Sequence, residues 1–260
     1  MDFSQVMNLH GLIGQDESDW HQHQNGGGWV QNIARVEPAA YIGSEAIVYG
    51  HARIYGKAEV YNQARVFNSA QVHGHAQVFD NAWVYGNAAI FDNARVFGFA
   101  SVDDNARVYG DAIIRDNTQV FGNAEVYDHV QIEENARIYG NARIYGHAMV
   151  CDNAQVCDNA QVYGNARVGG SSSIEEYVEV CGCIKIADNK RYRGNIVITT
   201  TNDDKKRTLL IKKSTDGQPN PKKKIELSQY NSSCPICKSP AQDLIFKVYC
   251  SKVGCQNYHL

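Results

Sequence analysis

The sequence predicts an all-β solenoid built from short strands. The prediction rests on 26 consecutive six-residue repeats, here termed hexads, which run without insertion from Ala34 to Asn189 of the 260-residue chain. The third position is Val or Ile in all 26 hexads, and the first position is Ala in 21 of them. A fixed short period is typical of solenoids, in which each unit buries its apolar side chains by stacking on its neighbours.

Each position of the hexad has an expected place in such a fold. Side chains alternate between the two sides of a strand, so we expect the first and third positions to face the interior. The second position, often Arg, Gln or Glu, and the fourth, often Tyr or Phe, then face solvent. The fifth and sixth positions are commonly Gly-Asn or Asp-Asn, and these residues tolerate positive φ, which predicts a corner. The first position departs from Ala at Thr118, Val130, Ser172, Val178 and Ile184.

This pattern resembles the hexapeptide-repeat, left-handed parallel β-helix family over residues 34–189. The resemblance implies three hexads in each coil and a left-handed course of the chain. The 26 hexads would then form about 8.7 coils. At roughly 4.8 Å between neighbouring strands, such a prism is on the order of 42 Å long.

Charged residues agree with a coil of three hexads. Arg115 precedes Glu133 by three hexads, and Glu125 lies midway between Arg107 and Arg143 at the same interval. Coils of this length make these opposite charges neighbours on adjacent strands, where each pair stabilises the sheet by ~0.2–1 kcal/mol.

The regions outside the hexads complete a four-part organisation. We expect an N-terminal cap over residues 1–33, the β-helix over residues 34–189, a basic hairpin and linker over residues 190–231, and a zinc-ribbon-like module over residues 232–260. A solenoid end exposes an apolar cross-section and needs a cap. Candidate cap residues are Leu9, Leu12, Ile13, Trp20 and Trp29. The lead-in to the hexads, Gly27-Gly28-Trp29-Val30, is similar to that of bacterial YdcK-type proteins.

Charge is distributed unevenly along the chain. The net charge is −4 over residues 1–33, −8 over residues 34–189 and +9 over residues 190–260, which sum to −3. The basic C-terminal part offers a possible contact with nucleic acid. No apolar run is long enough to predict a membrane span, and no signal peptide is evident, so we expect a cytoplasmic protein.

Four cysteines near the C-terminus predict a structural zinc site. Cys234, Cys237, Cys250 and Cys255 form a C-x2-C-x12-C-x4-C arrangement, and four thiolates suit tetrahedral Zn²⁺. A module this small cannot bury a sufficient core, so metal binding would supply its folding free energy. The stretch resembles small zinc ribbons of phage and bacterial proteins. Its second spacing is longer than usual, which leaves His259 as an alternative ligand.

One face of the β-helix is expected to carry an unbroken row of rings. At intervals of three hexads along it stand Tyr55, His73, Phe91, Tyr109, Tyr127, Tyr145 and Tyr163. The rings of the other faces are interrupted by Asp103, Arg115 and Glu133. Tyr and Arg often dominate binding at protein interfaces, so we interpret this face as a surface for a protein partner or for self-association. Stacked rings also stabilise strands in the absence of a partner.

The family resemblance implies an enzymatic alternative. Many hexapeptide-repeat proteins are acyltransferases that use an acyl-CoA donor, act as trimers and carry an extruded loop beside a catalytic His. Others resemble γ-class carbonic anhydrases, with three His around a metal. No loop interrupts the 26 hexads, and His73-Gly74-His75 lacks the wider ligand spacing of the anhydrases. His73 is the remaining candidate for catalysis.

These observations favour a non-catalytic interaction or scaffold protein that binds a protein partner or self-associates as a trimer or dimer. An acyl-CoA-dependent acyltransferase is the alternative, and a phage-encoded binder of a host factor is a third hypothesis. The remaining cysteines, to which we assign no chemistry, are Cys151, Cys157, Cys181 and Cys183.

Overall fold

Short strands account for most of the regular structure. The computed structural model describes residues 1–203, 206–215, 218–226, 241–244 and 247–250, with side chains up to Thr199. Within these ranges lie one helix, α1 (Phe3–Leu9), a 3₁₀ turn (Glu17–Asp19) and 34 strands. In chain order the strands are β1 (Trp20–Gln22), β2 (Trp29–Gln31), β3 (Arg35–Val36), β4 (Tyr41–Ile42), β5 (Ile47–Val48), β6 (Arg53–Ile54), β7 (Glu59–Val60), β8 (Arg65–Val66), β9 (Gln71–Val72), β10 (Gln77–Val78), β11 (Trp83–Val84), β12 (Ala89–Ile90), β13 (Arg95–Val96), β14 (Ser101–Val102), β15 (Arg107–Val108), β16 (Ile113–Ile114), β17 (Gln119–Val120), β18 (Glu125–Val126), β19 (Gln131–Ile132), β20 (Arg137–Ile138), β21 (Arg143–Ile144), β22 (Met149–Val150), β23 (Gln155–Val156), β24 (Gln161–Val162), β25 (Arg167–Val168), β26 (Ser173–Ile174), β27 (Glu179–Val180), β28 (Lys185–Ile186), β29 (Arg191–Tyr192), β30 (Ile196–Asp203), β31 (Lys206–Thr215), β32 (Gln218–Glu226), β33 (Ala241–Leu244) and β34 (Lys247–Cys250).

Every third strand of the hexads belongs to the same sheet, so the coil has three faces. Face 1 contains β2, β5, β8 and each third strand up to β29, with β1 antiparallel at its edge. Face 2 runs from β3 through β27 to β30, and face 3 runs from β4 to β28. Neighbouring strands are parallel and three hexads apart, as with Gln77 opposite Arg95. This parallel β-solenoid of about nine coils confirms the predicted all-β fold and agrees with a left-handed β-helix.

The interior is filled by the first and third positions of the hexad. From residue 40 to residue 186, these positions are at most 4% exposed in every hexad. The two polar exceptions differ. The Thr118 hydroxyl donates to the carbonyl oxygen of Arg115 at 2.7 Å, whereas the Ser172 hydroxyl is buried without a hydrogen-bond partner. Each fully buried Val or Ile stabilises the fold by about 1.5–3 kcal/mol, so the stacked interior is the main source of stability.

The corners join adjacent coils through the fifth position of the hexad. From residue 50 to residue 182 this residue has positive φ, as predicted, for example 58° at Asp92 and 69° at Gly110. The Asp92 carboxylate accepts a hydrogen bond from the Gly110 N–H at 3.2 Å, and Asp128 accepts one from Gly146 at 3.0 Å. A Cβ on Gly110 would lie 2.8 Å from the Asp128 nitrogen. From residue 92 to residue 146 Gly and Asp alternate along this corner, where each Gly leaves room for the backbone of the next coil and each carboxylate accepts from its amide.

Helix α1 begins at a capping box. The Asp2 carboxylate accepts from the Gln5 N–H at 2.8 Å, and the Gln5 side chain accepts from the Asp2 N–H at 3.1 Å. Such reciprocal bonds satisfy two otherwise unpaired backbone donors. A helix of seven residues is unstable alone, so its packing against the coil must maintain it.

Helix α1 packs on the outer surface of face 1. The resulting apolar cluster contains Phe3, Val6, Met7, Trp20, Trp29 and Ile47. Ile47 occupies an outward-facing second position, yet it is completely buried because the helix covers it. Among the candidate cap residues, Leu9 and Ile13 are 37% and 80% exposed, whereas Trp20, Trp29 and Leu12 belong to or pack against this cluster.

Face 2 continues past the last hexad. Strand β30 pairs in parallel with β27 and antiparallel with β31, which pairs in turn with β32. Strands β30 and β31 lie within residues 190–231, where the sequence predicts a basic hairpin. Over the described ranges, no helix has the length and apolar character needed to cross a membrane.

Candidate interaction surfaces

A continuous row of rings lies on the outside of face 2. This row, the ring ladder, comprises Tyr55, His73, Phe91, Tyr109, Tyr127, Tyr145 and Tyr163. Consecutive rings are stacked, with centroid distances of 4.4–5.2 Å and interplanar angles of 2–8°. The structure thus brings together all seven side chains that the sequence assigned to one face.

The ladder follows from the geometry of parallel strands. Neighbouring strands lie about 4.8 Å apart, which matches the separation of stacked rings. Every ring of the ladder is half-buried. Because the ring faces contact one another, the ring edges and the tyrosine hydroxyls are the parts available to a partner.

Charged side chains run beside the ladder on the second positions of face 2. The Arg107 Nη1 atom lies 3.5 Å from Glu125 Oε1, and the Arg143 Nε atom lies 3.1 Å from Glu125 Oε2. The guanidinium of Arg107 also lies over the Tyr109 ring, 5.5 Å from its centroid. The structure therefore confirms that Glu125 is the neighbour of both Arg107 and Arg143 on adjacent coils, and its carboxylate partly neutralises both guanidinium charges.

Tyr109, Tyr145 and Tyr163 of the ladder keep their protons at neutral pH. Burial raises the pKa of Tyr109 to about 12, and it also raises the pKa of Tyr145 and of Tyr163. The Tyr145 hydroxyl donates to Gln161 Oε1 at 3.3 Å, and the Tyr163 hydroxyl donates to Glu179 Oε2 at 3.1 Å. The ladder is thus edged by neutral hydroxyl groups rather than by phenolates.

The rings of the other two faces form shorter stacks. These stacks are Tyr49–Phe67–Tyr85 and Phe121–Tyr139 on face 1, and Tyr61–Phe79–Phe97 on face 3. Asp103 separates the two stacks of face 1, and the ion pair of Arg115 with Glu133 follows the stack of face 3. Both interruptions agree with the sequence prediction, so among the described faces the unbroken row belongs to face 2.

His73 is a member of this ladder. Its ring is stacked 4.4 Å from that of Tyr55 and 5.0 Å from that of Phe91. Partial burial lowers its pKa below the ordinary value of 6.5, so it is neutral at pH 7. In the described part of the chain, no group of three His, Cys, Asp or Glu side chains is placed to hold a metal ion.

A groove on face 1 was not anticipated from the sequence. It lies beside the end of helix α1 and has a volume of about 420 Å³. Its lining residues are Leu9, His10, Gln63, Arg65, Asn81, Trp83, Tyr85, Phe99, Ser101 and Gln119. We term it the face 1 groove. The signal that marks it in the sequence is a departure from the hexad, because Trp83 and Phe99 occupy positions where the repeat commonly has polar residues.

Arg65 forms part of the floor of this groove. Its guanidinium carbon lies 4.8 Å from the centroid of the Trp83 ring. Its Nε atom is buried and has no hydrogen-bond partner. Burial lowers the pKa of Arg65, and none of the ion pairs among residues 1–199 involves it.

The cysteines divide into three groups, of which Cys181 and Cys183 are half-buried near the end of the hexads. Cys151 and Cys157 are buried thiols on different faces, and burial raises the pKa of both. Neither is therefore a reactive thiolate at neutral pH. The proposed zinc ligands Cys234, Cys237 and Cys255, and the side chain of Cys250, lie outside the described residues, as does the alternative ligand His259. The structural zinc site and the basic contact with nucleic acid stay predictions.

The chain is similar to known β-solenoid repeats. A family model described as the YdcK beta solenoid repeat matches residues 136–152, 142–158, 154–170 and 160–176. The solved structure described as "Activity and Crystal Structure of Arabidopsis UDP-N-acetylglucosamine acyltransferase" is 14% identical, with a TM-score of 0.31, over 65% of this chain and 70% of that chain. No curated protein matches the chain. The family match supports the hexapeptide-repeat β-helix resemblance that the residues first indicated.

Proposed function

We propose that this protein is a non-catalytic interaction scaffold, and that the ring ladder of face 2 is its binding surface for a protein partner or for a second copy of the chain. The observation that carries the proposal is the unbroken stack of seven rings. A flat row of half-buried aromatic edges offers a partner much apolar contact at little entropic cost, because stacking already fixes each ring.

Polar groups beside the ladder support the same function. Tyr109, Tyr127 and Tyr145 present hydroxyl groups along one line, and Arg107, Glu125 and Arg143 alternate in charge beside them. Interfaces combine apolar cores with hydrogen bonds and complementary charge at the rim. The face therefore has the composition that a specific protein interface needs.

The test is a triple substitution in the middle of the ladder. Tyr109→Ser, Tyr127→Ser and Tyr145→Ser together remove three adjacent rings while they leave the buried positions of the hexads unchanged. We expect this variant to lose self-association, measured by native mass spectrometry and sedimentation velocity, or to lose co-purified protein partners. The matched control replaces the face 3 stack, Tyr61, Phe79 and Phe97, with Ser.

The control separates binding from stability. Both triple variants lose three stacked rings, so circular dichroism and thermal unfolding report a similar structural cost for each. The proposal requires that association fails in the face 2 variant and persists in the face 3 variant. Unchanged association in the face 2 variant, or equal loss in both, contradicts it.

An acyltransferase remains the second candidate, because many hexapeptide-repeat proteins have that activity. The residue to test is His73, which is neutral at pH 7 and so has the protonation state of a general base. The described coils from residue 34 to residue 189 carry no inserted loop that would enclose an acyl donor beside it. Acetyl-CoA-dependent turnover that disappears in His73→Ala would establish the enzyme and overturn the scaffold proposal.

A further inference from the structure

Two aromatic side chains that depart from the hexad pattern line the face 1 groove. Trp83 is the only Trp at a second position of the 26 hexads, and Phe99 is the only Phe at a sixth position, where Asn is common. Both side chains line the groove, and they are 42% and 68% exposed. Exposed aromatic residues also occur singly at these hexad positions, at Tyr41 and Tyr177, but most coils close without them, so folding of the repeat does not require the pair in the groove. Clustered exposed aromatic residues of this kind are typical of binding sites.

Arg65 adds an uncompensated charge to the same groove. Its neighbours on adjacent strands are Ile47 and Trp83, and neither offers an acceptor oxygen. By contrast, Arg137 on the same face donates to Gln119 Oε1 at 3.1 Å. The guanidinium is partly buried and takes part in none of the ion pairs among residues 1–199, so an acceptor oxygen brought to its remaining N–H groups would stabilise it. Arg65 therefore favours a ligand that brings an anionic oxygen.

The other titratable groups around the groove add no positive charge to that of Arg65. His10 closes one end, where its Nε2 donates to the Glu45 carbonyl oxygen at 2.7 Å, and burial lowers its pKa. It is therefore neutral at pH 7. Asp103 lies at the far end, near the Tyr85 hydroxyl. Among the lining residues, Arg65 alone is positively charged near neutral pH.

We propose that the face 1 groove binds a segment of a partner protein in which a carboxylate side chain stands beside an aromatic side chain. The carboxylate accepts hydrogen bonds from the Arg65 guanidinium, whose planar donors match two carboxylate oxygens. The aromatic side chain packs against Trp83 and Phe99. The groove volume of about 420 Å³ suits two or three side chains of such a segment. This site is distinct from the ring ladder, which lies on another face.

The experiment uses two peptides that differ in one charge. Acetyl-Phe-Asp-Phe-amide is the probe, and the isosteric acetyl-Phe-Asn-Phe-amide is its neutral control. Binding to the full chain is measured by isothermal titration calorimetry and by quenching of the exposed Trp83 fluorescence. We expect the Asp peptide to bind about tenfold more tightly, and we expect this preference to shrink at high salt.

Variants assign the preference to the groove. Arg65→Met keeps the side-chain stem against Trp83 but should abolish the tenfold preference. Trp83→Gln and Phe99→Asn restore residues common at those hexad positions, so they should fold normally and weaken both peptides. The matched control is Arg95→Met, which removes a guanidinium from the Phe79 ring on face 3 and should change neither affinity. Thermal unfolding verifies that each variant is folded.

Several results would overturn the proposal. The first is equal affinity for the two peptides, and the second is no saturable binding of either peptide. The third is a loss of the preference for the Asp peptide in Arg95→Met as large as that in Arg65→Met. Binding of N-acetylphenylalanine as tight as that of the Asp peptide would identify a small organic acid as the occupant instead. Loss of self-association in Trp83→Gln would identify a second copy of the chain. Peptide binding that persists in the ladder variant separates this inference from the proposed function.

Discussion

Face 1 and face 2 are built from the same hexad, but they satisfy their outward-facing side chains differently. On face 2 each ring stacks on the ring of the next coil, and Glu125 pairs with arginines on both sides. On face 1 the apolar second position Ile47 needs a helix to cover it, and Arg65 in the next coil lacks a carboxylate. Where the repeat is strict, outward-facing side chains find their partners on the neighbouring coils. Side chains that depart from the repeat need a partner from outside the coil. Such departures are therefore where additional binding sites should be sought.

The largest expected effect comes from making face 1 conform to the repeat. Ile47→Arg installs a residue that is common at second positions, but here it lies beneath helix α1. The change loses about 1.5–3 kcal/mol of apolar burial and places an unpaired cation in the cluster. We expect helix α1 to detach while the coil stays folded. Amide hydrogen exchange of residues 3–9 should then become fast.

A matched substitution tests whether the position is responsible. Gln131→Arg puts the same residue at an exposed second position of face 3 and should leave helix α1 protected. If the amides of residues 3–9 stay protected from exchange in Ile47→Arg, the helix does not depend on this cluster. Face 1 would then not differ from face 2 in needing the helix to cover its second position.

The repeat explains which parts of this molecule were predictable from the sequence. A period of six fixes the coil, the buried positions, the corners and the alignment of Tyr109 with Tyr127, because each depends only on spacing. The position of helix α1 depends instead on which exposed surface is apolar enough to receive it. On face 1 the hexads present such a surface at Ile47, but one apolar second position is a weak signal, because face 3 also has apolar second positions at Ile113 and Met149. Leu9 and His10, at the end of that helix, form one end of the face 1 groove, so the repeat pattern alone did not reveal the groove.

A smaller effect is expected from removing the charge compensation of face 2. Glu125→Gln leaves Arg107 and Arg143 without their shared carboxylate. The arginine side chains are 52% and 49% exposed, so the free energy of unfolding should fall by only about 0.5–1 kcal/mol. Urea unfolding at low salt measures this loss, and about 1 M NaCl should largely remove it.

The control for that charge lies on face 3. The Glu59 carboxylate accepts a hydrogen bond from Gln77 Nε2 at 2.9 Å rather than from an arginine. Glu59→Gln should therefore cost less, and its cost should not depend on salt. Equal costs with equal salt dependence would show that the paired arginines contribute nothing specific to face 2.

The smallest expected effect concerns pH and the one imidazole in the ring ladder. Partial burial lowers the pKa of His73 below 6.5, so the unfolded chain binds a proton there at a higher pH than the folded chain does. Stability is therefore lost as the pH falls below 6.5 toward the folded-state pKa. His73→Phe keeps a ring between Tyr55 and Phe91 without a titratable group. Its Tm should decrease less than that of the wild type between about pH 7.5 and about pH 5.5.

Some decrease should remain, because burial also lowers the pKa of His10 and of His147. Identical decreases in the two proteins would show that His73 takes up its proton inside the ladder as readily as in the unfolded chain, and face 2 would then not exclude charge from its rings.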